Sequence, residues 1–268
     1  MRLFVSSSLC WAYPPDDVIK LANQFHFDGV EIWAEHVWHY HTSIDSILQA
    51  KEDYDIELSL HAASWDLNLS AINEGIRMQS IYEIEKSMIL AKEIGATNVT
   101  IHPGRYTLTN EWIDKHKEIF IHNLQILAEK ADQLEVTLSL ELMEPLKKEF
   151  ITEPASMNQI LEHLPENVQT TFDVAHVPLS KKPLDYFHRM NRINKVHISD
   201  STDQIYHVPL GTGSIDLHPI LEELVYSDLP IVVEGFENDR SLAKLQQNLS
   251  YLNKKSLLRR KTIEDISH

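Results

Sequence analysis

Short runs of apolar and β-branched residues alternate with longer amphipathic segments along almost the whole chain. Eight of these runs have the length and composition of buried strands, and the intervening segments carry apolar residues at helical spacing. The predicted strands are 2–7, 29–33, 57–62, 98–104, 136–142, 169–176, 195–200 and 230–237. The predicted helices are 15–26, 43–54, 73–94, 110–133, 153–163, 182–191, 216–227 and 239–258.

Eight consecutive strand-then-helix units predict one closed parallel (β/α)8 TIM barrel, since that fold takes roughly 250 residues. We assign residues 1–258 to this single domain and 259–268 to a C-terminal tail. The alternative is an open, doubly wound sheet, which ordinarily has a glycine-rich phosphate turn after its first strand. The segment SSSLCWAYPP at that position has no such turn, so the barrel is favoured.

Composition narrows the classes of protein. Of the 268 residues, 43% are hydrophobic, which is enough for a large core. A single cysteine, Cys10, excludes an internal disulfide and suits a reducing compartment. The N-terminus resembles neither a signal peptide nor a membrane span, so we expect a soluble, cytoplasmic protein. The net charge of −16 disfavours nucleic acid as a partner, unless bound cations or a local basic patch reverse the field.

Polar donors stand near the carboxyl ends of the predicted strands, where a barrel of this type usually builds its chemistry. The clearest is Glu141 in VTLSLELMEP, because an isolated ionised carboxylate is costly in a buried strand. In chain order the donors are His61, His102, Glu141, Asp173 with His176, His197 and Glu234. Any one of them alone, such as His102, is more often a hydrogen-bonded structural residue than a metal ligand. Together, on six successive strands, they predict a centre for Zn²⁺, Mn²⁺, Co²⁺ or Mg²⁺.

Seven motifs in this order resemble the xylose-isomerase-like TIM-barrel superfamily, which holds sugar isomerases and epimerases and also endonuclease IV, an apurinic-site repair enzyme. The resemblance covers Leu3 to Glu237. The motifs are DGVEIW (28–33), LHAASWDLNLS (60–70), EIGATNVTIHPG (93–104), FDVAH (172–176), VHISDS (196–201), HVPLGTGSID (207–216) and VVEGFE (232–237).

The resemblance implies ligand sets, residue by residue. The four positions around one divalent ion that the sugar-enzyme branch shares are Glu141, Asp173, His197 and Glu234. His61 and His102 match positions that hold a second zinc in endonuclease IV together with the bridging glutamate. His176 and His207 match two ligands of its third zinc. The remaining ligand there is an aspartate, where this chain has Ile205, so a complete third site is doubtful.

The first functional hypothesis is a metal-dependent isomerase or epimerase acting on a small sugar, sugar phosphate or related hydroxy-ketone through an enediolate. Glu141 and Glu234 would move the proton as general base and acid. His176 would orient a substrate hydroxyl. Expected substrate contacts are Glu31 and the aromatic residues Trp33, Trp38 and Tyr40, with Trp65 and Arg105 as further candidates.

The second hypothesis is hydrolysis of a phosphodiester at an apurinic site by two or three zinc ions. Duplex binding needs cations and a wedge side chain. Trp65 is the candidate wedge, and the candidate cations are Arg105, Lys147, Lys148, Lys181 and Lys182. The acidic net charge and Ile205 favour the small substrate. A metal-free barrel that serves as a binding module is a third class, against which the intact ligand set argues.

The other histidines and two glycines carry weaker predictions. His36, His39 and His41 are expected in a polar loop after the second strand, and the remaining histidines pack on or face out from helices. Gly211 and Gly213 predict a tight loop before a helix that Asp216 caps. The identity of the substrate, the ion and the oligomeric state have no signal in the sequence.

Overall fold

A computed structural model describes residues 1–255, within which eight parallel strands form a closed barrel in the order β1 to β8. The predicted tail, 259–268, and the end of the predicted helix 239–258 lie outside the described residues. The strands are β1 (Arg2–Ser6), β2 (Gly29–Trp33), β3 (Glu57–His61), β4 (Asn98–Ile101), β5 (Thr137–Glu141), β6 (Val168–Asp173), β7 (Ile193–Ile198) and β8 (Pro230–Val233). Because β1 pairs with both β2 and β8, the prediction of a closed (β/α)8 barrel is confirmed and the open sheet is wrong.

Helices surround the barrel and pack their apolar stripes against the outer faces of the strands. In chain order they are α1 (Pro15–Gln24), α2 (Ala34–Tyr40), α3 (Ile44–Tyr54), α4 (Glu74–Ile94), α5 (Ile113–Leu134), α6 (Pro154–Leu161), α7 (Pro183–Arg189), α8 (His218–Val225) and α9 (Ala243–Lys254). None of the helices within residues 1–255 combines the length and apolarity that crossing a membrane requires.

Helix α2 was not predicted, because its seven residues are too few to show helical periodicity. The expected polar loop is therefore wrong for His36 and His39, which belong to α2, whereas His41 lies in an exposed turn directly after the helix. His36 is buried and stacks on Trp11, with 4.3 Å between the ring centroids. A second correction concerns the cap of α8: Leu217 occupies that position, and Asp216 lies one residue before it.

Three predicted strands extend three or four residues too far at their carboxyl ends. The predicted strands 98–104, 169–176 and 230–237 end in the structure at Ile101, Asp173 and Val233. The residues beyond turn away as loops over the mouth of the barrel. His102, His176 and Glu234 therefore stand on the first residues of these loops rather than within the strands.

A polar layer fills the barrel directly beneath the strand ends. Its members lie two residues before His61, His102, Glu141, Asp173 and His197, and a strand places residues i and i−2 on the same face. They are Ser59, Thr100, Ser139, Thr171 and Lys195. Glu31 of β2 joins this layer, where its Oε2 atom pairs with Lys195 Nζ and accepts a hydrogen bond from Ser59 Oγ at 3.2 Å.

The single cysteine is expected to be inert in the folded protein. Cys10 is 1% exposed, and burial, with a smaller contribution from Glu237, raises the pKa of its thiol to about 12. The reactive thiolate is then about one part in ten thousand at pH 8. We expect a disulfide reagent such as DTNB to leave the native protein unlabelled for hours and to label one thiol per chain at once in denaturant. Rapid labelling of the native protein would contradict this burial.

Candidate metal centre

The predicted donors meet at the mouth of the barrel because each stands at the carboxyl end of a different strand. His61, Glu141 and Asp173 are the last residues of β3, β5 and β6, and His197 is the next to last of β7. His102 and Glu234 directly follow β4 and β8. Apart from His102, whose side chain is 29% exposed, these side chains are buried.

The first cluster consists of Glu141, Asp173, His197 and Glu234, with ligand atoms that all lie within 4.8 Å of one another. His197 Nδ1 lies 3.2 Å from Glu141 Oε1 and 3.0 Å from Glu234 Oε2. Asp173 Oδ2 is buried and has no hydrogen-bond partner among the described residues, and His197 is the only cation-forming group beside Glu234 Oε2 within 3.5 Å in that part of the chain. Carboxylate oxygens buried in this way need a cation, since burial without a partner is costly.

A second cluster shares Glu141 with the first. Its other members are His61 and His102, whose Nε2 atoms lie 3.4 Å and 3.2 Å from Glu141 Oε2. The indole of Trp33 stacks on the His61 ring, with 3.9 Å between centroids, and holds that ring in place. Glu141 therefore directs one oxygen to each cluster, as a carboxylate that bridges two ions does.

A third cluster shares Asp173 with the first and adds His176 and His207. The Nε2 atoms of the two histidines are 3.0 Å apart, and Asp173 Oδ2 lies 3.6 Å from His176 Nε2. All of the eight predicted ligands thus belong to one continuous group of donors.

The hydrogen bonds of two histidines fit metal ligation. His61 Nδ1 lies 2.8 Å from the carbonyl oxygen of Ala62, and His176 Nδ1 lies 2.7 Å from that of Leu142. A carbonyl only accepts, so each Nδ1 carries the proton and each Nε2 of a neutral ring presents a lone pair to the centre. This tautomer is the one that second-shell carbonyls impose on metal-bound histidines.

The charges of the metal-free protein also call for a cation. Burial raises the pKa of Asp173, and the nearby carboxylates Glu234 and Glu141 raise it further. Burial lowers the pKa of His176, but the surrounding carboxylates, Asp173 first, outweigh burial and bring it to about 9. Protons on these groups would compensate the buried carboxylates, and a divalent ion does the same when the groups are deprotonated.

A cavity of about 350 Å³ opens above the clusters, which suits a small molecule. Trp33 and Trp65, two of the expected substrate contacts, line it, and Phe236 completes an aromatic wall. Trp65 and Phe236 are 49% and 44% exposed, and both pack against the buried Trp11. An aromatic wall beside a polar floor is an arrangement that sugars, which have both apolar and polar surfaces, can use.

Four predicted substrate contacts do not line this cavity. Glu31 is fully buried beneath His197, where its Oε1 lies 2.7 Å from His197 Nε2, so it supports the cluster from below. Arg105 faces an adjacent cavity and pairs with Glu149 at 3.6 Å. Trp38 and Tyr40 belong to α2, which directs them away: Trp38 lies under Lys86, and Tyr40 donates to the Trp11 carbonyl oxygen.

Two residues with a place in the site were missed. Glu144 lines the cavity from the loop after β5, and its signal was a second carboxylate three residues after Glu141. Lys195 is 1% exposed inside the barrel, and its signal was a lysine two residues before a strand-end ligand.

With this geometry in place, comparison with known proteins identifies the family. Residues 19–255 match the xylose isomerase-like TIM barrel family. The match covers most of the chain, and the chain therefore belongs to this family.

Individual relatives agree with this assignment. An uncharacterized protein of Methanocaldococcus jannaschii, MJ1188, is 26% identical over 230 residues, which are 84% of each chain. A solved structure of a D-tagatose 3-epimerase-like protein has a TM-score of 0.79 at 24% identity, covering 96% of this chain and all of the other. An L-ribulose 3-epimerase structure has a TM-score of 0.76 at 18% identity, covering 100% and 98%. At these identities the solved structures establish the shared fold.

Proposed function

We propose that the protein is a divalent-metal-dependent isomerase or epimerase of a small sugar, sugar phosphate or related hydroxy-ketone. The observation that carries the proposal is the placement of Glu141 and Glu234. They enter one small cavity from β5 and β8, three strands apart around the mouth, and both belong to the first cluster, whose ligand atoms lie within 4.8 Å of one another. Two carboxylates on different sides of a bound substrate can take a proton from one face and return it.

Zn²⁺ or Mn²⁺ fits the proposed donor set of one imidazole and three carboxylates, with Mg²⁺ or Co²⁺ as substitutes. When bound by Glu141, Asp173, His197 and Glu234, such an ion would polarise a carbonyl oxygen and acidify the neighbouring C–H. The protein itself holds the His197 ring between Glu31 and the cluster, and the aromatic wall would cover one side of a bound substrate.

The fold shared with a D-tagatose 3-epimerase-like protein and an L-ribulose 3-epimerase supports this reaction class. So does the size of the cavity, about 350 Å³, which is sufficient for a small ketose. We place the protein in the cytoplasm, in keeping with its single buried cysteine.

The direct test is incorporation of solvent deuterium next to a ketose carbonyl, followed by NMR. We expect incubation of the metal-loaded protein with a panel of ketoses and ketose phosphates in D₂O to label one carbon in at least one of them. Treatment with a chelator should stop the labelling, and added Mn²⁺ or Zn²⁺ should restore it. No exchange in any member of the panel under either metal would refute the isomerase proposal.

One observation favours a second candidate, an apurinic-site phosphodiesterase resembling endonuclease IV. The three donor clusters share Glu141 and Asp173, which is the arrangement that several adjacent ions require. Against it, Arg105 is already paired with Glu149. Cleavage of a duplex with one abasic site by the zinc-loaded protein would establish this activity, and an intact duplex under the conditions of the exchange assay would exclude it.

A further inference from the structure

We infer that Glu144 completes a further divalent-cation site with His176, His207 and the shared ligand Asp173. The inference rests on the proposed function for the ion at the first cluster, beside which this site would lie. It concerns a residue that the resemblance to endonuclease IV does not place among the ligands. There the carboxylate stands two residues before the second histidine, a position that Ile205 fills in this chain with 60% exposure.

Glu144 supplies a carboxylate from a different loop. It follows β5 by three residues, and its Oε2 atom lies 3.5 Å from His176 Nε2. That oxygen is buried and has no hydrogen-bond partner among the described residues. Asp173 Oδ2, on a fully buried side chain, is equally without a partner and lies 3.6 Å from the same nitrogen. Both oxygens therefore lie within 3.6 Å of one imidazole nitrogen. Glu144 stands just outside the third cluster, whose donor atoms all lie within 4.8 Å of one another, and would join it by turning its side chain toward Asp173 and His207.

The two imidazoles bring lone pairs to the same point. The Leu142 carbonyl fixes the proton of His176 on Nδ1, so Nε2 of the neutral ring is an acceptor. His207 Nε2 faces it at 3.0 Å, while His207 Nδ1 lies 3.0 Å from Ser199 Oγ, which can accept the other proton. Two nitrogens bound to one Zn²⁺ at about 2.0–2.1 Å lie about 3.3 Å apart, close to this separation.

Among residues 1–255, no lysine or arginine neutralises the carboxylates of Glu144 and Asp173. Neither Glu144 nor Asp173 forms an ion pair with a lysine or arginine among residues 1–255. Two acceptor nitrogens and two unpaired carboxylate oxygens are the set that a zinc-class ion binds. With the ion bound, His176 acts on the substrate through the cation rather than by a direct hydrogen bond.

The experiment counts ions. Metal-free protein is titrated with Zn²⁺ by calorimetry, and with Co²⁺ by visible absorption, and the retained metal is measured by mass spectrometry after gel filtration. We expect Glu144→Gln to lose one ion per chain, or to bind it more than about 100-fold more weakly, which exceeds the usual effect of a residue outside the coordination shell. His207→Gln should lose the same ion, and the double variant should lose no second one.

Glu149→Gln is the matched control, since Glu149 lies on the same loop but pairs with Arg105. It should retain the wild-type count, and circular dichroism should show that all variants are folded. An ion count and affinity in Glu144→Gln equal to those of the wild type would overturn the inference, whatever His207→Gln shows. Ion counting is independent of catalysis. If Glu144→Gln loses an ion but the wild type shows no deuterium exchange, this site stands and the isomerase proposal is refuted. If the wild type shows exchange but Glu144→Gln keeps every ion, the isomerase proposal stands and this site is refuted.

Discussion

Glu141→Gln is expected to lower deuterium exchange into the substrate by about 10²–10⁴-fold, the range in which a positioned general acid or base contributes. Glutamine keeps the size of the side chain but cannot take a proton from carbon. It also removes the charge that faces His61, His102 and His197, so metal binding should weaken as well. Exchange is therefore measured by NMR at metal concentrations that saturate the variant, which separates the proton-transfer defect from the loss of metal.

Glu57→Gln provides the control for this experiment. Glu57 begins β3 at the opposite end of the barrel, where it is exposed and pairs with Arg2. The same chemical change there should leave the exchange rate unaltered, because exposed ion pairs contribute little. Wild-type exchange by metal-saturated Glu141→Gln would show that this carboxylate does not move the proton.

The barrel could be predicted from the sequence because parallel strands buried on both faces read as apolar runs, and the amphipathic segments between them read as helices. The ends of the strands and helices were harder to predict. The strand predicted at 98–104 continued through His102 because nothing in local composition marks where pairing with the next strand stops. Helix α2 has two turns that pack against Trp11, a contact between distant segments that local pattern does not contain.

The candidate site followed from one geometric rule: residues that end neighbouring parallel strands share one mouth. The rule gives the place of a residue around the barrel but not its depth. Glu31 and Trp33 are two residues apart on β2 and point the same way, yet one is beneath the cluster and the other beside it. Glu144 was not predicted for a different reason: it lies on a loop rather than a strand, and the path of that loop depends on packing.

The barrel keeps the carboxylate of Glu31 ionised beneath the site by pairing it with Lys195 and His197. Glu31 Oε2 meets Lys195, Ser59 and Thr100, while Oε1 faces His197. Interactions with Lys195 and His197 outweigh burial and hold the pKa of Glu31 well below its usual range. An ionised Glu31 stabilises a proton on His197 Nε2, which leaves Nδ1 free for an ion between Glu141 and Glu234. The layer beneath the mouth therefore orients a ligand of the layer above.

An exposed ion pair provides a control for the contribution of the buried Lys195–Glu31 pair to stability. Lys20 and Asp17 of α1 lie 2.7 Å apart, with side chains 45% and 43% exposed. Solvent screens that pair, so Lys20→Met should change the free energy of unfolding by at most about 1 kcal/mol. Lys20→Met is therefore the exposed control for Lys195→Met, in which the same substitution is made at a buried lysine.

Lys195→Met is expected to destabilise the metal-free protein by about 3–5 kcal/mol, because it leaves the carboxylate of Glu31 buried without its main counter-charge. For a chain of this size the midpoint of thermal unfolding should fall by at least about 6 °C. Urea unfolding and calorimetry measure both effects. The double variant Glu31→Gln/Lys195→Met removes both charges and should recover most of the lost stability, since well-packed neutral residues can replace a buried pair. A Lys195→Met protein as stable as Lys20→Met, or a double variant less stable than Lys195→Met alone, would show that Glu31 does not depend on Lys195.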